Sequence, residues 1–477
     1  MGIFGRIDTF ITWFDGVVWG LPLIILILVT GIFLTVRLGL LQVRYLGKAL
    51  KFMVKNEEDG HGEVTSFGAL CTALSATIGT GNIVGVATAI SAGGPGALFW
   101  MILTAFLGMA TKYSEGLLAV KYRTIDEDGH VLGGPFYYIE NGMGIKFRWL
   151  AKIFAFFGAG VGLFGIGTFT QVNGISSAVR NFFDPNMAHT VALFGNDYSW
   201  ATVISCLVLT VCVGMVVLGG IKRIAKVSEI VVPFMAVLYV VLAVIIMVTN
   251  ITAIPAAIVT IVKSAFTGSA LAGGAMGSMI VAMQKGIARG IFSNEAGLGS
   301  APIAAAAAQT NEPVRQGLVS MTGTFIDTII VCTMTGLAIV MTGAWDMGLE
   351  GVAVTTKAFA LGLPFPAKAS AFVLMMCLVF FAFTTILGWA YYSERCLEYL
   401  VNGKKFVITA FKWFYILAVF IGPFMTVSAV WTIADICNGL MAFPNLVALL
   451  ALNGDVVSET RGYLERVGIV KTTVGEA

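Results

Sequence analysis

Apolar runs of about 20 residues recur along the 477-residue chain, and short polar loops separate them. A bilayer core of roughly 30 Å needs about 20 apolar residues in a helix, so each run can cross a membrane. The pattern predicts eleven transmembrane helices and no soluble domain. Their predicted bounds are 15–36, 67–91, 97–120, 149–180, 198–218, 228–250, 268–290, 316–343, 369–394, 406–422 and 427–450.

The composition agrees with an all-α membrane protein. Hydrophobic residues make up 58% of the chain and charged residues 12%, which leaves too little polar surface for a soluble protein of this length. No small-residue cleavage site follows the first apolar run, so we interpret it as a retained helix and not as a signal peptide. The lipid bilayer is a predicted partner, and the net charge of +3 does not call for nucleic acid.

The basic residues are distributed unequally between the two sets of alternate loops. One set holds 21 of the 29 Lys and Arg residues, and the other holds five. Because Lys and Arg are retained on the cytoplasmic side, the N-terminus is predicted outside and the C-terminus in the cytoplasm. The chain is therefore predicted to be a multi-pass protein of the plasma membrane.

Cysteine and histidine positions argue against metal and hydrolase chemistry. The seven cysteines form no CxxC pair, and His61, His130 and His189 all fall in predicted loops. A His-bound metal or an intramembrane Ser–His hydrolase needs a histidine at membrane depth. The chain is predicted not to be an enzyme and to use no organic cofactor.

The second predicted span is interrupted near its middle by the poor helix-forming sequence Gly79-Thr80-Gly81-Asn82. A freed backbone amide or carbonyl that faces lipid is costly, so a break at this depth must face protein, water or a ligand. A small-residue packing seam of Gly81 and Gly85 is the alternative, but it does not explain Thr80 and Asn82.

The seventh predicted span contains a second predicted interruption at mid-membrane. It consists of Gly273, Gly274, Gly277 and Ser278. Five helices separate the starts of the two interrupted spans, and this odd number inverts the second group of five relative to the first. Such a pair indicates a secondary transporter with a midplane substrate site between the repeats. The predicted division is an extra helix and basic segment in 1–66, repeats in 67–250 and 268–450, and a cytoplasmic tail in 451–477.

The freed backbone groups predict what the site binds. Amides at half-helix N-termini attract a carboxylate, and freed carbonyls attract a cation. A substrate that carries both charges, such as an amino acid, fits such a site. In the fourth span, Gly165, Thr168 and Gln171 can share one helix face near it, although approach to the outer interface explains Gln171 equally well.

Two further spans carry candidate ion ligands. Thr384 and Thr385 in the ninth span offer adjacent hydroxyls at depth, and hard cations prefer oxygen. We expect them to bind Na+, although threonines also bond their own helix. Asp327 in the eighth span is a candidate for coupling to a proton or a cation, or else it caps a polar packing cluster. Lys112 and Glu115 are predicted to lie toward the cytoplasmic end of the third span without a role.

Seven long motifs follow one another along nearly the whole chain. They are GTGNIVGVATAI (79–90), GGPGALFWM (93–101), GGPFYYIENGMG (133–144), GGIKRIAKVSEIVVPFMAVLY (219–239), GIFSNEAGLGSAPIAAAA (290–307), PVRQGLVSMTGTFIDTIIVC (313–332) and TTILGWAYYSERC (384–396). Together they resemble the alanine or glycine:cation symporter family of the amino acid-polyamine-cation superfamily. The resemblance implies a leucine-transporter-type 5+5 inverted repeat preceded by one extra helix, and Na+- or H+-coupled import of alanine, glycine and similar amino acids.

The resemblance also implies roles for individual residues. The substrate carboxylate is expected on Thr77, Thr80 and Gly81, its amino group at the 273–278 interruption, and its side chain between Gln171 and Trp389. The expected Na+ ligands are the carbonyls of Ser75 and Ile78 and the hydroxyls of Thr384 and Thr385.

The predicted function is Na+-coupled import of small neutral amino acids, alanine and glycine, by alternating access in a monomer. H+-coupled symport is the alternative. A passive channel would need a continuous polar pore, whereas the spans are nearly free of charge. A membrane enzyme would need a nucleophile with a base, for which the spans offer only Asp327 or Glu115.

Overall fold

The computed structural model describes residues 3–55, 60–127, 129–165, 167–193, 196–267, 275–424 and 428–468. These residues form α-helices and two short antiparallel hairpins, β1–β2 and β3–β4. The α-helices are α1 (Ile3–Val18), α2 (Leu21–Arg37), α3 (Leu41–Arg44), α4 (Leu46–Val54), α5 (Ser66–Thr77), α6 (Val86–Gly93), α7 (Gly96–Lys121), α8 (Pro135–Tyr137), α9 (Arg148–Phe164), α10 (Phe169–Phe183), α11 (Trp200–Val217), α12 (Gly220–Thr249), α13 (Ile254–Thr267), α14 (Ala275–Asn294), α15 (Ala301–Ala306), α16 (Pro313–Thr324), α17 (Thr333–Met341), α18 (Val352–Gly362), α19 (Ala367–Leu400), α20 (Lys405–Ile421), α21 (Ser428–Ala451) and α22 (Asn453–Arg466). The strands are β1 (Thr124–Ile125), β2 (Val131–Leu132), β3 (Thr190–Leu193) and β4 (Asn196–Ser199).

Nine helices in the described part of the chain are long and apolar enough to cross a membrane, or ten if a bent pair counts as one span. The pair is Ser66–Thr77 with Gly81–Gly93, which meet at 50°. The architecture is all-helical as predicted, but the predicted count of eleven is not reached. The helix α14 is less apolar because it carries Lys285 and Arg289, and residues 268–274 before it lie outside the described residues.

The helices divide into an outer and an inner set. The outer helices α11, α12 and α20 expose apolar side chains such as Ile204, Phe234 and Trp413. The inner helix α7 packs against α14, α15 and α16, and α19 packs against α5, α9 and α10. Small residues permit the close approach, since a Cβ on Gly108 of α7 would lie 2.8 Å from the Cβ of Ala296.

The fourth predicted span is interrupted, which the sequence analysis did not foresee. The helix α9 ends at Phe164 and α10 begins at Phe169. Gly165 packs so tightly that a Cβ there would lie 2.1 Å from the Cβ of Ala434. The hydroxyl of Thr168 donates to the carbonyl of Leu163 at 2.8 Å. It therefore provides a hydrogen-bond donor for a carbonyl at this interruption and does not point to the break in the second predicted span.

The interruption predicted at 273–278 in the seventh span falls partly outside the described residues, which leave out Gly273 and Gly274. Gly277 and Ser278 lie within the helix α14. A break that was not predicted follows where α14 ends at Asn294, before α15 begins at Ala301. Glycine permits a break but does not impose one. The break forms where other helices supply partners for the freed backbone groups.

A strap of residues 60–64 joins the start of α5 to the chain just after α15. Four backbone hydrogen bonds link it to residues 307–310, among them Gln309 N to the Val64 carbonyl at 2.7 Å. The Arg123 guanidinium donates to four carbonyls at 2.5 to 2.7 Å, those of His61, Ala306, Ala308 and Thr310. The last carbonyls of a helix lack intrahelical partners. Arg123 therefore caps the C-terminal end of α15 and also holds the strap in place.

His130 connects the strap to α19 through two carboxylates. Its Nδ1 lies 3.0 Å from Glu63 Oε1, and its Nε2 lies 3.1 Å from Glu398 Oε1. Hydrogen bonds to Glu398 and Glu63 raise the pKa of His130 to about 9, against the opposing charge of Arg395. The imidazole therefore carries protons on both ring nitrogens, and so a positive charge, in this network at neutral pH.

We expect His130→Gln to remove a pH-dependent part of the stability. Histidine in the unfolded chain has a pKa near 6.5, so the raised folded pKa stabilises the protein fully below about pH 6.5. This contribution is lost as the pH rises through about 9. Thermal unfolding midpoints of purified protein from pH 6 to 9.5 measure it, with His189→Gln on the other hairpin as the matched control. Parallel curves for wild type and His130→Gln would contradict the assignment.

Candidate functional site

The first break comprises residues 78–80, between α5 and the π-helical turn that precedes α6. In a continuous helix the amide of Gly79 would donate to the carbonyl of Ser75. Here it donates to the side-chain Oδ1 of Asn82 at 2.9 Å, so the Ser75 carbonyl loses its helical partner. The Ser75 hydroxyl donates to the carbonyl of Thr72 at 2.7 Å. The break therefore leaves the backbone oxygen of Ser75 without its helical hydrogen bond. The Ser75 hydroxyl, in contrast, bonds within α5.

The amide of Thr80 also leaves the helical pattern. It donates to Oε1 of Gln171 on α10 at 3.3 Å, and both side chains are buried. The fourth predicted span thus contacts the first break through Gln171. The hydroxyl of Thr77 behaves differently, because it donates to the carbonyls of Ala73 and Leu74 in its own helix at 3.2 and 3.3 Å.

The hydroxyls of the two threonines predicted as Na+ ligands both lie 3.0 Å from the carbonyl of Phe381 in their own helix, and they differ in their second contact. Thr385 Oγ1 also lies 3.3 Å from the carbonyl of Ile78, which brings α19 to the first break. Thr384 Oγ1 donates to the carbonyl of Phe381 at 3.0 Å and lies 3.5 Å from the sulfur of Met235 on α12. The structure therefore brings Thr385 together with Ile78, while Thr384 faces α12.

Asp327 lies in a buried polar cluster between the first break and the end of α14. Asn82 Nδ2 donates to its Oδ1 at 2.7 Å, and the hydroxyls of Ser293 and Thr328 donate to its Oδ2 at 2.9 and 2.6 Å. Its segment, Phe325–Cys332, is π-helical and joins α16 to α17. Three donors stabilise an ionised carboxylate where an unpaired buried charge would be costly.

The second break comprises residues 295–300, between α14 and α15. The amides of Gly297 and Gly299 donate to Oε1 of Glu115 on α7 at 3.1 and 3.2 Å. Asn445 Nδ2 on α21 donates to the same oxygen at 2.6 Å. Gly297 and Gly299 have φ angles of +90° and +81°, which glycine adopts without strain. A carboxylate on another helix therefore accepts the amides that this break frees.

Glu295 begins the second break and bridges it. Its Oε1 accepts the indole N–H of Trp389 at 3.0 Å, and its Oε2 accepts the hydroxyl of Ser300 at 2.5 Å. Its φ of +55° is unusual for a residue with a side chain. Trp389, the predicted wall of the side-chain pocket, is fully buried and held by this bond.

The turn that follows the first break packs against the end of α14, just before the second break. A Cβ on Gly81 would lie 3.3 Å from the ring of Phe292 and 3.4 Å from the Cα of Ser293, at the end of α14. The interruption of the fourth span approaches from another side, since a Cβ on Gly167 would lie 2.5 Å from the Cβ of Trp389. The predicted residues at the first break, on α10 and on α19 therefore surround one region.

Lys112 and Glu115 correct the sequence analysis, which placed them near the membrane surface. They are 3% and 0% exposed. The close approach at Gly108 lets the second break cover this part of α7. The charges of Glu115, Glu295 and Asp327 all act on Lys112. Lys112 and Glu115 are therefore buried inside the protein and do not form the expected pair near the membrane surface.

Sequence reasoning also missed Asn82, Glu295, Ser293 and Asn445 as site residues. The segment Asn294-Glu295-Ala296-Gly297-Leu298-Gly299 carried a usable signal, namely a carboxylate at membrane depth followed by alternate glycines. Asn82 stood inside the interruption predicted at 79–82, where its short amide can replace a helical acceptor. Asn445 had no comparable signal, because its partner lies on a distant helix.

Known proteins resemble this chain over nearly its whole length. The family described as "Sodium:alanine symporter family" matches residues 5–474. An "Uncharacterized transporter" of Haemophilus influenzae is 54% identical, covering 97% of each chain. "Sodium/alanine symporter AgcS" of Methanococcus maripaludis is 47% identical, covering 94% of this chain and 95% of the relative. The crystal structure of MhsT in complex with L-phenylalanine has a TM-score of 0.59 at 12% identity, covering 84% of this chain and 93% of MhsT. That likeness concerns the fold alone and supports a transporter fold.

We expect Glu115→Ala to destabilise the protein by about 3–5 kcal/mol, because it leaves the buried N–H donors of Gly297, Gly299 and Asn445 without their acceptor and removes the charge of Glu115 that acts on Lys112. Glu115→Gln keeps an acceptor oxygen and should cost less. Thermal unfolding in detergent measures both, with Glu127→Ala on an exposed loop as the matched control. An unfolding midpoint of Glu115→Ala equal to that of the control would contradict this role.

Proposed function

Because this chain belongs to the sodium:alanine symporter family, we propose that it imports small neutral amino acids, alanine and glycine, together with Na+ by alternating access. Membership of a transporter family confirms the prediction that the chain is not an enzyme. The family and the many apolar helices also confirm a multi-pass membrane protein. The topology with the N-terminus outside stays a prediction, as does function as a monomer.

The observation that carries the proposal is the contact between Thr385 and the first break. A cation there would meet the hydroxyl of Thr385 and the carbonyls of Ile78 and Ser75. These are neutral oxygens, the ligand type that a hard cation such as Na+ prefers. Thr384 would join them once its hydroxyl turns away from Met235.

The substrate site lies between the same elements. The carboxylate would bind where the second half of the broken helix starts, at Thr77, Thr80 and Gly81. It would replace Gln171 Oε1 at the amide of Thr80 and the carbonyls of α5 at the hydroxyl of Thr77. The side chain of the amino acid would meet Gln171 and Trp389, with Gly165 and Thr168 behind them. Gly273 and Gly274 lie outside the described residues, and the predicted role of these two glycines and Gly277 at the substrate stays a prediction.

Alternating access would come from two inverted repeats of five spans, α5 to α12 and α14 to α21. Each repeat begins with a broken helix, which is a feature of transporters with midplane sites. The likeness to the fold of MhsT supports this division.

Proton coupling is the second candidate, and Asp327 favours it. A buried carboxylate that contacts the first break through Asn82 can bind a proton in place of a metal cation. Both coupling modes use the same two breaks, so they differ in the ion and not in the site of the amino acid.

Uptake into proteoliposomes tests the function. An inward Na+ gradient should drive alanine and glycine to concentrations above those outside, because coupling converts the ion gradient into substrate accumulation. Matched vesicles receive K+ in place of Na+, with and without an inward H+ gradient. Accumulation with H+ alone would favour the second candidate, and equal uptake under all gradients would overturn coupled transport.

Thr385→Val should lower the apparent Na+ affinity roughly tenfold to a hundredfold, because it keeps the side-chain shape and deletes one oxygen ligand. Alanine affinity should fall at low Na+ and recover at high Na+, since coupling between two sites is reciprocal. Thr30→Val is the matched control, because the buried Thr30 hydroxyl donates to the Leu26 carbonyl of its own helix α2, and it should leave the Na+ dependence unchanged. Binding titrations of purified protein decide this, and an unchanged Na+ dependence in Thr385→Val would place the ion elsewhere.

A further inference from the structure

A large cleft lies between α10, α11 and α19, outside the site described above. Its volume is about 850 Å³, and its walls include Val179 on α10, Val208 on α11 and Phe380 on α19. Atoms that line a void lose the van der Waals contacts that a filled space would give them. A cleft of this size is therefore more stable when it is occupied.

Water is a poor occupant of this cleft. A buried water needs two to four polar partners, whereas the cleft residues of α10 and α19 are all apolar. Ser205 on α11 donates its hydroxyl to the carbonyl of Thr202 in its own helix at 2.9 Å. The two titratable lining residues, Asp184 and His189, both lie in the connection between α10 and α11. The cleft thus has one polar end and an apolar interior.

The length of the cleft matches one leaflet of a bilayer. Its lining follows α11 from Trp200 to Cys212 and α19 from Phe372 to Phe383. At 1.5 Å per residue these stretches are roughly 18 and 17 Å long, and half of a hydrocarbon core of roughly 30 Å is about 15 Å. Trp200, the first residue of α11, is half exposed at the polar end, as is typical of the membrane interface.

The cleft is continuous with the surface that faces lipid. Ile204 on α11 is 56% exposed and also lines the cleft. Leu207, on the next turn of the same helix, is exposed outside the cleft lining. A hydrocarbon chain of the bilayer can therefore enter from the side.

We propose that one acyl chain of a membrane phospholipid occupies this cleft, with the headgroup at the Trp200 end. Each CH₂ group that the cleft buries stabilises the bound chain. At the inner end the chain would contact Ile175, one turn beyond Gln171, and Phe383, which directly precedes Thr384. The chain thus supports the two helices that carry these predicted site residues. The inference needs a membrane protein and does not rest on the proposed function.

Native mass spectrometry of protein purified in detergent tests for the bound lipid. Wild type should retain one phospholipid. Ser205→Trp places an indole in the cleft and should lower the retained fraction about tenfold, because losing the contacts of two CH₂ groups already corresponds to such a factor. Leu207→Trp is the matched control on the bilayer-facing side of the same helix and should retain the lipid. Equal retention by the two variants would overturn the inference, as would a wild-type dimer without lipid, in which a second copy covers the cleft.

A measurement on wild-type protein keeps the test independent of how well the variants fold. Phosphatidylglycerol with palmitoyl chains should raise the thermal unfolding midpoint of delipidated protein. The same headgroup on hexanoyl chains, added below its micelle concentration, should raise it less, because short chains leave most of the cleft empty. Equal shifts with the two lipids would show that the headgroup alone binds, and this result would contradict an acyl-chain site.

Discussion

A peptide group that leaves its helix inside a membrane must find another protein partner, because lipid offers none. This constraint organises the centre of the molecule. At the first break, Asn82 and Gln171 accept the two amides that the helix releases. At the second break, Glu115 accepts the amides of Gly297 and Gly299. Each break is therefore a tertiary feature, fixed as much by α7 and α10 as by its own sequence.

This dependence explains which features the sequence could predict. The family, the membrane location and the first break were predictable, because apolar runs, long motifs and Gly79 to Asn82 are local signals. The break at 295–300 was not predicted, because 273–278 is richer in glycine and drew the prediction there, yet glycine alone does not break a helix. The buried position of Glu115 could not be predicted, since it depends on the close approach at Gly108. The predicted ligand roles of Thr384, Thr385 and the other site residues stay predictions.

Asn82 connects two parts of the site that the sequence analysis treated separately. Its Oδ1 accepts the amide of Gly79 at 2.9 Å, and its Nδ2 donates to Asp327 at 2.7 Å. One rigid amide plane thus joins the freed backbone of the first break to a buried carboxylate. Because the local dielectric constant is low, a change of charge at Asp327 acts strongly on this bond. The charge of Asp327 in the π-helical segment therefore acts through Asn82 on the backbone of the first break.

The strap has a consequence for how the molecule can move. Four backbone bonds and the four carbonyl contacts of Arg123 hold the start of α5 to the chain after α15. Substituting either glycine of the strap would press a Cβ into the backbone, within 2.5 Å at Gly60 and 2.4 Å at Gly62. Two half-helices that are more than 200 residues apart in sequence thus share one rigid body. A displacement of α5 must therefore carry α15 with it.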